Sequence, residues 1–76
     1  EKDDVEQLLS KVIDSLPERC REIFLKSKIE GKKQKEIAEE MNISINTVET
    51  QMGIAYKKLR NELKDYFPLF IFLYYL

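Results

Sequence analysis

Between two apolar stripes at helical spacing, Ile37–Ala38–Met41 and Val48–Met52–Ala55–Leu59, sits the segment Asn42-Ile43-Ser44. A strand alternates with period two, so neither stripe is a strand. With turn and cap residue types between them, the stripes read as two helices joined by a tight turn. Asn42 suits that turn, because Asn enters the left-handed backbone region more readily than other non-glycine residues. Ser44 suits the N-cap of the second helix. The spacing matches a helix-turn-helix, in which the second helix enters the major groove of DNA.

The rest of the chain adds two helices before this pair. Val5, Leu8, Leu9, Val12, Ile13 and Leu16 recur at helical spacing and predict a first helix from about Asp3 to Ser15. Asp3, Asp4 and Glu6 favour its amino end electrostatically. Leu16-Pro17 breaks the pattern, and Pro17 fits the first turn of a second helix, where its missing N–H costs little. Cys20, Ile23, Phe24 and Ser27 line one face of that helix, and Gly31 is its stop. The third helix runs from Gln34 to Met41. The fourth carries its stripe through Leu63 to about Asp65, and Pro68 ends the helical pattern. With no strand alternation, repeat or long linker, the expected fold is all-α. It is a compact bundle of about four helices containing a helix-turn-helix (residues 1–67), followed by an apolar tail (68–76). From Leu69 to Leu76 the tail has eight residues without a charge. That is far short of the roughly 20 needed to span a bilayer. Such a tail must be covered by the domain's own groove, by a second copy through self-association, or by a partner.

Composition bounds the function. A chain of 76 residues makes one small domain, and amphipathic helices are the direct way to fill so small a core. A hydrophobic fraction of 43% and a charged fraction of 36% fit a globular helical domain rather than a disordered one. The net charge of −1 argues against strong autonomous binding to nucleic acid. Residues 1–31 carry six Lys/Arg against eight Asp/Glu, hence −2, and residues 32–76 seven against six, hence +1. The half with the helix-turn-helix is the more basic, yet a partner protein has to hold it on DNA. Cys20 is the single cysteine and there is no histidine, which excludes an internal disulfide, a zinc site and His-based catalysis within these residues. The lone cysteine suits a reducing, cytoplasmic compartment. No signal peptide is visible, and the start at Glu1 without Met reads as a piece of a longer protein.

Projected at about 100° per residue, the fourth helix points Val48, Met52, Ala55 and Leu59 inward. Thr47, Gln51, Ile54 and Lys58 form a neighbouring strip, with Asn46, Thr50 and Lys57 close to it and Glu49, Gly53 and Tyr56 on the other flank. Asn, Gln, Thr and Glu are side chains that match base-edge donors and acceptors, and Ile54 suits a thymine methyl. Gly53 costs a helix roughly 0.5–1 kcal/mol relative to Ala. It is either a site of close approach to DNA or a plain exposed glycine. Lys33, Gln34 and Lys35, at the amino end of the third helix with Lys32 beside them, are candidates for phosphate contact, set against plain solubility. The bland account of these polar residues is a solvated helix face. Turn, cap and both stripes arriving in register favour the DNA-reading one. Cys20, on the face of Phe24, reads as a buried, inert thiol. Glu36, Glu39 and Glu40 read as a solvated face rather than a metal or acid–base cluster. Tyr56, Tyr66, Tyr74 and Tyr75 read as packing groups.

These residues resemble region 4 of bacterial RNA polymerase sigma factors. Leu16-Pro17-Glu18-Arg19-Cys20-Arg21-Glu22-Ile23-Phe24 is similar to that family's LPxxxRxxF opening. Glu30-Gly31 followed by Lys35-Glu36-Ile37-Ala38-Glu39-Glu40-Met41 is similar to its G…EIAexl. Ile43-Ser44-Ile45-Asn46-Thr47-Val48-Glu49 is similar to its iSxxTVe, and Ala55-Tyr56-Lys57-Lys58-Leu59-Arg60 to its AxxkLR. The resemblance covers about Val5 to Leu63, and the short four-helix form looks most like the extracytoplasmic-function group. It implies a non-enzymatic domain, without cofactor or metal, that reads the −35 promoter element through its fourth helix. It also implies docking on the β-flap of core RNA polymerase and occlusion by an anti-sigma factor. Carried over by position, Thr47, Glu49, Thr50, Gln51, Gly53 and Ile54 meet DNA. Many relatives place Arg at the positions of Glu49 and Gln51, so this chain has fewer cations for phosphate. The alternative is the helix-turn-helix output domain of a response regulator, which shares EIAexlxiSxxTV. It lacks the Leu16-Pro17 opening and the long extension from Leu59 to Tyr66.

Overall fold

Each apolar stripe becomes a helix in the computed structural model, which describes residues 2–64. They are α1 (Lys2–Asp14), α2 (Glu18–Lys28), α3 (Gln34–Met41) and α4 (Ile45–Leu63). No strand occurs among the described residues. The tail 68–76, the tyrosines at 66, 74 and 75, the fourth helix's predicted end near Asp65 and the Val5 side chain lie outside what is described. Pro17 takes the N-cap position of α2, with φ −54° and ψ 149°, rather than a place in its first turn. Its carbonyl accepts from the Arg21 N–H at 2.8 Å, so the proline still opens the helix without needing a donor.

The helix ends are set by local chemistry. Gly31 has φ +72°, and beyond it the Lys32 N–H folds back onto the Lys26 carbonyl at 3.0 Å. A Cβ would be strained at that φ, which explains the glycine. Asn42 is left-handed, with φ 56° and ψ 48°. This bend lets the Ile43 N–H reach the Ala38 carbonyl at 2.9 Å, satisfying an end carbonyl of α3 while the chain reverses. Between α1 and α2, Arg21 Nη1 donates to the Asp14 carbonyl at 3.1 Å and lies 3.4 Å from that of Leu16. It clasps the last turn of α1, where a cation meets the negative helix end.

All of the core stripes converge on α4. Val12 and Leu16 come from α1 and its exit, Cys20, Ile23 and Phe24 from α2, and Ile37 and Ala38 from α3. They bury Val48, Met52, Ala55, Leu59 and Leu63 of α4. Leu8, Leu9, Ile13, Met41, Ile43 and Tyr56 close the margin. Phe24 meets Tyr56 edge to face at 6.1 Å, with Lys28 Nζ 5.6 Å from the centre of the Tyr56 ring. No polar side chain is buried among the described residues. The buried Cys20 Sγ donates to the Gln51 carbonyl at 3.3 Å, tying α2 to α4. Burial pushes this thiol's pKa up, as expected of an inert cysteine.

Candidate nucleic-acid interface

The orientation of α4 is fixed at its first turn. Ser44 is extended (φ −79°, ψ 158°), and its Oγ accepts from the Thr47 N–H at 3.0 Å. Thr47 Oγ1 lies 2.9 Å from the same oxygen. One orphan donor of the helix start is thereby satisfied, and the left-handed Asn42 two residues earlier sets the entry direction. With the inner line of α4 locked in the core, the opposite line faces solvent.

That outer line is Asn46, Thr50, Gly53 and Lys57, all exposed. Glu49 and Ile54 are exposed on either side of it, Ile54 retaining 45% of its surface. The other three members of the strip predicted to read DNA are more covered: Thr47, Gln51 and Lys58 are half-buried. Thr47 is engaged in the cap, and the Gln51 carbonyl is taken by Cys20. The solvent-facing strip is therefore centred one column away from Thr47–Gln51–Lys58. Three exposed residues of α4, Ile45, Asn61 and Glu62, were not singled out from the sequence. Ile45, at the first helical position, keeps 44% of its surface. Asn61 lies one turn beyond Lys57 and lines a shallow open depression with Ile54, Lys57, Lys58 and Glu62. The turn-by-turn spacing from Lys57 could have found Asn61.

The amino end of α3 presents Lys33, Gln34 and Lys35, all exposed. Lys33 is the N-cap residue, and its N–H donates to Glu36 Oε1 at 2.8 Å, the acidic arm of a capping box. Lys32 is not available for phosphate in the same way. It pairs with Glu40 and, at 3.3 Å, with Glu30. Lys26 of α2 meets the other oxygen of Glu40 at 2.6 Å. Hydrogen bonds from Lys26 and then Lys32 hold the Glu40 carboxyl down at about 2. Glu36, Glu39 and Glu40 are all exposed, as expected of a solvated face, and within it Glu36 also caps the helix and Glu40 also joins α2 to α3 through its ion pair.

A short helix joined through a left-handed Asn to a longer one that presents a polar outer face defines a helix-turn-helix module. The family model described as sigma-70, region 4 matches residues 6–59, and the chain belongs to that family. The match takes in the Leu16-Pro17 opening as well as the helix-turn-helix, which a response-regulator output domain does not account for. Comparison with curated proteins and with solved structures gives no match. Membership makes this a sigma-factor domain of the DNA-binding, transcription-initiation class, a regulatory rather than a catalytic family. Among the described residues, no helix is long and apolar enough to cross a membrane.

Proposed function

We propose that this domain recognises the −35 element of a promoter through the outer face of α4 and docks on core RNA polymerase, as part of an extracytoplasmic-function sigma factor acting in the cytoplasm. The observation that carries this reading is the exposed line Asn46–Thr50–Gly53–Lys57 on the second helix of a family-matched helix-turn-helix. Asn46 and Thr50 are the line's hydrogen-bonding groups near the helix start, the part of a recognition helix that meets base edges. Gln51 and Glu49 flank them, Ile45 and Ile54 add apolar contacts suited to thymine methyls, and Lys57 and Lys58 supply charge further along. Lys33, Gln34 and Lys35 supply phosphate contacts from the start of α3.

Docking on the β-flap has support in a second surface. Leu9, Ile13 and Leu25 line an open groove between α1 and α2, with Glu6, Ser10 and Asp14 at its rim. An apolar floor with a polar rim is the ordinary anatomy of a protein interface. An anti-sigma factor covering either surface would block the domain.

The test is promoter binding by the protein with core polymerase, comparing the parent with Thr50→Ala and Gln51→Ala. A base-edge contact is worth about 1–3 kcal/mol of discrimination. Each variant is therefore expected to lose roughly fivefold or more in preference for the matched −35 sequence over a scrambled one. Unchanged preference in both variants would overturn the reading face.

A further inference from the structure

The fold gives no reason for Gly53. Its φ is not positive, and a Cβ built on it meets nothing within 4 Å. It lies mid-way along the 19-residue α4, where glycine is a poor helix former. Gly31 has a backbone reason and Gly53 has none, so Gly53 weakens the helix without serving the domain's own packing.

Its place on α4 supplies the reason. Gly53 stands on the outermost line, three residues past Thr50 and four before Lys57, with the exposed Ile54 beside it. Along that line the side chains shrink from Asn46 to Thr50 to nothing at Gly53, and then Lys57 restores a long cation. The helix is thinnest about two turns in from its start. A helix that places its first turn against base edges runs out past a sugar–phosphate strand of the same groove at about that distance.

We infer that Gly53 is a positioning residue, clearing room for the sugar–phosphate backbone of DNA against α4. This rests on the reading of α4 as the promoter-contacting helix. The bare turn lets the helix approach closely enough for Asn46 and Thr50 to reach bases and for Lys57 to meet phosphate. It reads no base itself, so its effect is the same on every sequence.

The experiment uses Gly53→Ala and Gly53→Gln in the protein assembled with core polymerase. Binding is measured to a promoter with the matched −35 element and to one with that element scrambled. Melting of each variant and its affinity for core polymerase are measured alongside. Both variants are expected to melt higher, Gly53→Ala by roughly 2–8 °C. Core binding is expected to stay unchanged. Gly53→Gln is expected to bind both DNAs about tenfold more weakly, one ill-fitting contact, and Gly53→Ala less so, with the ratio between the DNAs preserved. Parent-like DNA binding by Gly53→Gln overturns the clearance role while leaving the promoter-reading assignment intact. A changed ratio overturns it too, by making the position a base reader, as does a lower melting temperature, which would return Gly53 to the fold. A parent that does not distinguish matched from scrambled DNA overturns the assignment of α4 and this inference with it.

Discussion

Glu40 is a surface carboxylate with a structural task. It joins Lys26 on α2 to Lys32 in the turn before α3, and those two ammonium groups hold its carboxyl near 2, against 4.5 for an ordinary glutamate. Because the folded value is the depressed one, the stabilisation is fully present above the ordinary glutamate range. It is lost as pH falls through about 4.5 toward about 2. The pair is solvent-facing, so its size is modest and salt weakens it. Melting followed across that acid window should show a steeper decline in the parent than in Glu40→Gln, which also melts slightly lower at neutral pH. Superimposable acid profiles for the two proteins would remove the ion pair from the account of how α2 holds α3. None of this was visible in the sequence, where Glu36, Glu39 and Glu40 look alike. Helical period tells which side of α3 an acid occupies, and not that Lys26 waits on the neighbouring helix.

The four helices were legible as elements because each carries its own period. The stripes of α3 and α4 and the residues that part them, Asn42 and Ser44, take the conformations their chemistry favours. The buried line of α4 is the line the spacing picks out. What the period could not give is the width of burial. A helix packed on one neighbour hides a narrow stripe, whereas α1, α2 and α3 all lie against α4. Thr47, Gln51 and Lys58, placed from sequence on the reading strip, are therefore half covered, and Asn46, Thr50, Gly53 and Lys57 face outward. Arg21 makes the same point. Its place in the LPxxxRxxF pattern was evident, but its grip on the Asp14 carbonyl needed the α1–α2 corner. The start of α4 also yields a prediction. Ser44 Oγ satisfies the Thr47 N–H at 3.0 Å, and replacing an N-cap serine with alanine costs about 1 kcal/mol. In a domain of this size that lowers the melting temperature by roughly 4–8 °C. Ser44→Asp, which keeps an acceptor there, should recover most of the loss. Equal melting of Ser44→Ala and the parent would mean that packing alone holds the turn.

At the scale of the molecule, the near balance of charge sets how the domain is used. The outer face of α4 and the start of α3 expose Lys33, Lys35 and Lys57, with Glu36 and Glu49 among them, while Lys32 is spent on Glu30 and Glu40. If about three phosphates are neutralised, the logarithm of DNA affinity falls with the logarithm of salt at a slope of about −2.7. That is shallow for a protein that must find DNA unaided, and it matches a reader tethered by a larger assembly at high effective concentration. Glu49 is the place to test this, because it is an exposed acid one turn into α4. Glu49→Arg adds a cation and removes a repulsion. Affinity should rise on matched and scrambled DNA alike, and the salt slope should steepen by about one unit for the isolated domain. With core polymerase present the gain should shrink, since the tether already supplies most of what the new cation adds. Titrations at about 50, 100 and 200 mM salt, with and without polymerase, give both quantities. A parent slope already near that of a strongly basic DNA-binding protein, or a Glu49→Arg gain equally large with polymerase bound, would show that the domain carries its own grip on DNA and that its near-zero charge misleads.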